Sequence, residues 1–230
     1  MAQLQTRKTT ECTRHGHVEF TIQYENPMPE SIVNWLIKFL EGDVAAGAAY
    51  KADETLQVGW MICKLLSRSD ETLGICEPDF KAMPVNWTES VTRTLFHLFT
   101  QKSVAESVDM DFQFPSYLNT GIVCTDLYSG TGFLMSRDEP SKNNENDSGW
   151  FFGCRNRDHN HNSADTLRLT TLYECAVRKP SIIQYLALPV RTTVAVGNPN
   201  RPWEFAITFD GKLLEPKEGS YLARALEQSH

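Results

Sequence analysis

Residues 18–24, VEFTIQY, alternate apolar and polar side chains, with Val18, Phe20, Ile22 and Tyr24 sharing one side. A period of two is typical of a strand with one buried face. A helix would scatter these four side chains around its axis, because helical neighbours lie three and four residues apart. The stretch therefore predicts a β-strand, and the chain must supply further strands to pair with it.

Similar reasoning predicts the other elements of the first half. Pro29 and Gly42 bracket one stripe of apolar residues at helical spacing, as start and stop signals do. Asn86 and Glu89 form a capping-box pair in front of a second stripe. The elements predicted are, in order, a strand at 18–24, a helix at 30–40, strands at 56–62 and 72–76, and a helix at 91–99.

The second half has shorter apolar runs between turn residues, which favours strands. The sequence predicts strands at 122–124, 133–135, 150–152, 192–196 and 203–209, a helical segment at 169–176, and a compact apolar stretch at 182–188. Gly197-Asn198-Pro199-Asn200 is expected to join the last two strands as a hairpin. We therefore expect an α+β protein of two small domains, each a mostly antiparallel sheet packed with one or two helices. Their expected bounds are 1–115, which is acidic, and 116–214, with a tail at 215–230.

Charge and cysteine usage narrow the function. The net charge is −7, and residues 1–117 hold sixteen acids against ten bases. Such a surface disfavours direct binding of nucleic acid and permits a basic protein partner. The six cysteines show no CxxC pair, so reduced thiols are expected. No run approaches the roughly 18 apolar residues of a membrane span, and the first residues, MAQLQTRKTTECTRHGH, contain no apolar signal-peptide core, so a cytoplasmic protein is expected.

The decapeptide GCRNRDHNHN, residues 153–162, concentrates metal-ligand residue types. A calcium loop is excluded because Ser163 and Leu169 stand where that loop needs glycine and glutamate. Zinc has three candidate ligands, Cys154, His159 and His161, but no second Cys/His pair lies near in sequence. We therefore expect no metal, no cofactor and no catalytic residue, and a chain that binds a partner. The alternative that stays open is a metal-dependent hydrolase using Cys154, His159 and His161, with Asp158 as its base.

The segment 120–209 resembles a known family, the Imm33-like immunity domain. The family's short first strand corresponds to Ile122-Val123-Cys124, and its glycine-bearing turn and next strand to Gly132-Phe133-Leu134-Met135. Its "REEP" strand end corresponds to Arg137-Asp138-Glu139-Pro140, and the "DSGW-F" after the acidic spacer to Asp147-Ser148-Gly149-Trp150-Phe151. The proline-bounded close of the family corresponds to Pro180 to Pro189. The two-domain layout is similar in particular to that of an immunity protein paired with a nuclease toxin of the type VI secretion system in Pseudomonas. One departure is that Arg155, Arg157 and two histidines follow the tryptophan, where the family often carries acids.

The resemblance implies an antidote that binds and neutralises a cognate antibacterial toxin, expected to be a basic DNase, as a 1:1 heterodimer in the cytoplasm. It would block the active site or the DNA-binding surface of the toxin, and would itself touch neither nucleic acid nor membrane. The residues expected to bind the partner are Asp138, Glu139, Glu145, Asp147, Trp150, Arg155, Asp158 and His159. Two alternatives stay open: an acidic stretch that serves only solubility, and a Trp150 that belongs to the core.

Overall fold

The computed structural model describes residues 3–79, 86–130, 132–156, 158–197 and 204–228. Two compact units, Met1–Phe99 and Thr100–His230, divide the chain. Each unit is built around a sheet with helices, so the predicted α+β class with two small domains is confirmed. The expected domain boundary at residue 115 and the separate tail remain predictions. Within the described ranges, none of the helices is both long enough and apolar enough to span a bilayer.

The first unit contains a six-stranded sheet in the order β1-β2-β5-β4-β3, with β6 added to β5. Its elements are β1 (Leu4–Lys8), β2 (Phe20–Glu25), α1 (Glu30–Ala45), β3 (Thr55–Val58), β4 (Met61–Ser67), β5 (Leu73–Asp79), β6 (Asn86–Thr88) and the start of α2 (Thr92–Ser107). Only the β2–β5 pairing is parallel among those described. The core includes Phe20 and Ile22 of β2 together with Leu36 and Leu40 of α1, so the predicted strand and first helix are confirmed. Val18 is the exception, because it lies before β2 and is exposed.

Two predictions for this unit are wrong. Residues 56–62 are not one strand, because Gly59 has a φ of 60° and turns the chain between β3 and β4. Asn86 and Glu89 do not cap the second helix, since Asn86 lies in β6 and the helix starts only at Thr92. The buried carboxylate of Glu77 accepts hydrogen bonds from the first-turn amides instead, Arg93 N at 3.2 Å and Thr94 N at 2.8 Å. A carboxylate from a neighbouring strand has therefore replaced the local capping signal.

The second unit contains a seven-stranded sheet in the order β10-β7-β9-β8-β11-β12-β13. Its elements are β7 (Thr120–Cys124), β8 (Phe133–Arg137), β9 (Asp147–Cys154), β10 (Leu167–Thr171), α3 (Leu172–Arg178), β11 (Thr192–Val196), β12 (Phe205–Phe209), β13 (Lys212–Leu214), α4 (Tyr221–Glu227), and 3-10 turns at Thr125–Tyr128, Ala164–Thr166 and Pro180–Tyr185. β7 and β9 run parallel, and the other pairings described are antiparallel. Strand β9 is thus an interior strand, between β7 and β8, and its loops are the ones that the sequence marks as functional.

The predicted helix at 169–176 is wrong in its first part. Residues 167–171 form β10, which pairs with β7, and the helix begins at Leu172 after Thr171 caps it by accepting a bond from Glu174 N. The predicted hairpin of β11 and β12 is confirmed, with Val194 opposite Ile207. Its predicted turn at 198–200, and Trp203, lie outside the described residues.

Candidate functional site

Strand β9 separates two loops that hold most of the predicted partner-binding residues. Eight residues span the strand, so its ends lie about 23 Å apart at about 3.3 Å per residue. The acidic loop, residues 138–147, enters β9 at one end and carries Asp138, Glu139, Glu145 and Asp147. The loop that leaves the other end carries Arg155, Asp158 and His159. The structure therefore splits the predicted site into two groups, with Trp150 between them.

The acidic loop is held closed by the residues of its own DSGW stretch. Asp147 accepts hydrogen bonds from Ser141 N at 2.8 Å and from Gly149 N at 3.0 Å. Ser148 Oγ donates to the carbonyl of Thr120 at 2.7 Å, which ties the loop to β7. Gly149 has a φ of 75°, a conformation that favours glycine. These residues of the family-like motif thus serve the shape of the loop.

Arg137, at the end of β8, is a buried cation under the same loop. Its guanidinium donates to the carbonyls of Ser148, Gln113 and Leu188, at 3.2, 2.8 and 2.7 Å. Burial lowers the pKa of Arg137 to about 10, an effect that nearby Glu139 opposes. A guanidinium at this pKa still carries its charge at neutral pH, so it fastens three separate backbone segments at the base of the loop.

The acids themselves differ in exposure. Asp138, Glu139 and Glu145 are exposed, whereas Asp147 is half-buried by the bonds it makes within the loop. Trp150 is only 1% exposed, and its Nε1 donates to the carbonyl of Leu186 at 3.1 Å. In this structure Trp150 therefore supports the sheet from inside, and three of the loop's four carboxylates face solvent.

At the other end of β9, side chains from three segments converge. Cys124 ends β7, Asp126 lies in the following 3-10 turn, Cys154 ends β9, and His159 and His161 belong to the loop beyond it. His161 Nε2 lies 3.4 Å from Cys154 Sγ, and the two histidine rings stack with centroids 4.9 Å apart. His159 Nδ1 lies 2.8 Å from a carboxylate oxygen of Asp126. The four residues Cys124, Cys154, His159 and His161 are called the Cys/His cluster below.

Burial governs the protonation of this cluster. It raises the pKa of the Cys124 thiol to about 11, an effect that a hydrogen bond from Cys154 N, at 3.1 Å, opposes. It lowers the pKa of His161, and neighbouring His159 adds to that effect. Without a ligand, the cluster thus holds a neutral imidazole at His161 and a protonated thiol at Cys124 at neutral pH.

The remaining predicted site residues lie at the rim of this end. Arg155 forms an ion pair with Glu204 at 3.0 Å, and Asp158 is exposed, with its backbone N–H donating to the side chain of Asn156. A cavity of about 190 Å³ lies beside them, lined in part by Asp126 and Cys154. This volume is below the roughly 300 Å³ at which small-molecule pockets usually begin.

Sequence reasoning missed Cys124 and Asp126. Cys154 lies 30 residues after Cys124, and His159 lies 33 residues after Asp126, so no spacing motif links them. The parallel pairing of β7 with β9 brings their carboxyl ends to the same edge of the sheet. A sequence signal could have come only from a correct prediction of that pairing.

The second unit thus presents an exposed anionic loop, held from below by Arg137, on an α+β scaffold. Residues 100–203 match the family model of the Imm33-like domain, which is somewhat less than half of the chain. The match supports an immunity-protein family and hence a cognate toxin as the partner. No curated protein and no solved structure matches this chain.

Proposed function

We propose that this chain is an immunity protein that binds a cognate antibacterial effector, a DNase of the type VI secretion system, and neutralises it in the cytoplasm. The complex is a 1:1 heterodimer, and the chain blocks the active site or the DNA-binding surface without doing chemistry itself. The match of residues 100–203 to the Imm33-like domain carries this proposal. The acidic loop and the residues at the far end of β9 supply the contacts.

The charge of the acidic loop supports a basic partner. Residues 138–147 contain four acids and one lysine, and three of the acids are exposed. A nuclease must hold a polyanion, so its binding groove is basic and attracts an anionic loop at long range. The hydrogen bonds of Arg137 and Asp147 order the loop before binding, which reduces the entropy lost on association.

The length of β9 supports a single interface that touches both groups of predicted residues. A standard protein–protein interface buries about 800 Å² per partner, which corresponds to a patch roughly 28 Å across. The acidic loop and the Arg155–Asp158 end lie about 23 Å apart along β9 and fit within that patch. Between these ends, the sheet exposes Ile122 and Leu169, which face each other across β7 and β10 at 45% and 62% exposure. We place the apolar centre of the toxin interface there, with the charged groups at its rim.

Co-expression tests the proposal directly. The chain is produced together with the toxin domain encoded beside it, survival of the cells is scored, and the two proteins are then applied to a size-exclusion column. Rescue and a co-eluting 1:1 complex are expected. If the chain neither rescues the cells nor forms a complex, the immunity function is wrong for this protein.

Charge variants test the role of the acidic loop. Asp138→Asn, Glu139→Gln and Glu145→Gln are combined, while Asp147 is kept because it shapes the loop. The association rate with the toxin should fall about tenfold or more at low salt and lose most of its salt dependence.

The matched control removes the same charge elsewhere, by replacing three exposed acids near the C-terminus, Glu215, Glu218 and Glu227, with glutamine. Its association rate should change less than about twofold. Equal effects of the two triple variants would show that only net charge matters, and that the acidic loop is not the recognition element.

The hydrolase remains the second candidate, because His161 lies against both Cys154 and His159 and a cavity lies beside Cys154. In such a hydrolase these three residues would hold a metal-bound water, and Asp158 would act as the base. A catalytic role requires that substituting alanine at all three positions abolish a hydrolytic activity of the purified chain while leaving it folded. If the alanine variant keeps every property of the parent, the hydrolase is excluded.

A further inference from the structure

The Cys/His cluster contains a buried nitrogen that the protein leaves unsatisfied. The His159 side chain is 6% exposed, and its Nδ1 faces the carboxylate of Asp126 at 2.8 Å. Its Nε2, on the opposite side of the ring, is buried and has no hydrogen-bond partner among the described residues. A buried polar atom without a partner destabilises the folded protein, so a ligand at this nitrogen would remove that penalty.

The contact with Asp126 selects the form of His159 that binds metals. A carboxylate at Nδ1 keeps the proton on that nitrogen, which leaves the lone pair of Nε2 free. The same carboxylate–histidine pairing is the usual support of a metal-bound imidazole, because it fixes the tautomer and the orientation of the ring.

The distances in the cluster are close to those of a tetrahedral zinc site. Zn–S bonds of about 2.3 Å and Zn–N bonds of about 2.05 Å at a tetrahedral angle place sulfur and nitrogen about 3.6 Å apart. Cys154 Sγ and His161 Nε2 are 3.4 Å apart. The ligand atoms of Cys124, His159 and His161 all lie within 4.8 Å of one another, and Cys154 is outside this group. Side-chain movements of about an ångström would bring the three to one centre. The Sγ of Cys154, which already lies beside His161 Nε2, would turn toward the same centre as the fourth ligand.

The cluster also has the donors that zinc prefers over harder cations. Two sulfurs and two imidazole nitrogens suit a borderline ion such as Zn²⁺, whereas Mg²⁺ and Ca²⁺ take oxygen ligands. The backbone N–H of Cys154 points to Cys124 Sγ at 3.1 Å and would stabilise a thiolate there. Zinc would replace the thiol protons and supply the charge that this buried site lacks.

We propose that Cys124, Cys154, His159 and His161 bind one Zn²⁺ ion as a closed structural site, with Asp126 positioning the His159 ring. Four protein ligands fill the tetrahedral shell and leave no place for a reactive water, so this site differs from a hydrolase centre. The ion fastens the loop after β9 to the ends of β7 and β9. It thereby fixes Arg155 and Asp158 at the rim, and it does so whether or not a toxin is the partner.

Metal titration of the full-length chain, prepared without a polyhistidine tag, tests this site. After treatment with a chelator, the protein is titrated with Zn²⁺ and, separately, with Co²⁺, whose spectrum reports thiolate ligation. One Zn²⁺ per chain should bind below micromolar concentration and raise the melting temperature, and Co²⁺ should give a tetrahedral spectrum with a thiolate charge-transfer band.

Variants separate ligands from neighbours. Cys154→Ser should remove about half of the charge-transfer intensity, and His159→Gln should weaken zinc binding at least a hundredfold. Asp126→Asn should weaken it about 10- to 100-fold and keep one ion per chain. The matched control is Cys175→Ser, a buried cysteine of the same unit outside the cluster, which should bind zinc like the parent.

Two results would overturn the site. The first is that the folded parent protein shows neither a charge-transfer band with Co²⁺ nor a rise in melting temperature at micromolar metal. This result decides the question even if the variants fail to fold. The other is zinc binding that survives both Cys154→Ser and His159→Gln, which would place the ion elsewhere.

Discussion

Replacing Gly149 with alanine should destabilise the second unit strongly, because two independent penalties meet at this residue. Its φ of 75° costs an L-residue about 1–2 kcal/mol. A Cβ placed there would lie 2.0 Å from the carbonyl oxygen of Asp138. The backbone segments of Asp138 and Gly149 cannot simply move apart, since Asp138 N donates to Gly149 O at 2.9 Å across the same contact. Losing that hydrogen bond costs about 1 kcal/mol. The sum is about 2–3 kcal/mol, or a fall in melting temperature of about 7–11 °C for a unit of this size.

Thermal unfolding followed by near-ultraviolet circular dichroism, which reports the packing of the aromatic side chains, Trp150 among them, measures this effect. Gly130→Ala is the matched control, because a Cβ at Gly130 meets nothing within 4 Å and that backbone has no positive φ. The control should melt within about 2 °C of the parent. If Gly149→Ala does the same, the geometry inferred at the base of the acidic loop is wrong.

Two further predictions concern the buried charge of the second unit and the pH dependence of the first. Arg137→Met should lower the free energy of unfolding, measured by chemical denaturation, by about 3–5 kcal/mol, because three carbonyls lose their donor. Arg137→Lys should recover only part of this loss. A loss below about 1 kcal/mol for Arg137→Met would contradict the role of Arg137 in holding the three backbone segments. Burial, aided by nearby Arg93, lowers the pKa of His97 from 6.5 to about 4. Between these values the unfolded chain binds a proton that the folded chain does not, so stability falls as the pH drops through this window, by about 2 kcal/mol at pH 5. His97→Gln should lose less stability than the parent between pH 7 and pH 5, and parallel curves would refute the assignment.

Sequence patterns predicted a helix or strand correctly where no distant group changed the structure that the local pattern favoured. The alternation at 18–24 gave β2, and the proline at position 29 marked the start of α1, because a strand or helix with one apolar face must bury that face somewhere. The same patterns failed where a distant group intervened. Glu77 took over the capping of α2, and pairing with β7 made a strand of residues 167–171.

The candidate site also combines features that the sequence predicts with features that depend on distant contacts. The sequence by itself determined that residues 138–147 form an anionic loop in front of a DSGW stretch, and that Cys154, His159 and His161 lie close along the chain, because neighbours in sequence must be neighbours in space. Only the tertiary structure decided that Trp150 is buried, that Arg137 clamps the loop from beneath, and that Cys124 and Asp126 join the two histidines. These last contacts depend on the parallel pairing of β7 and β9. That pairing is fixed by the burial of whole strands, which no short stretch of sequence records.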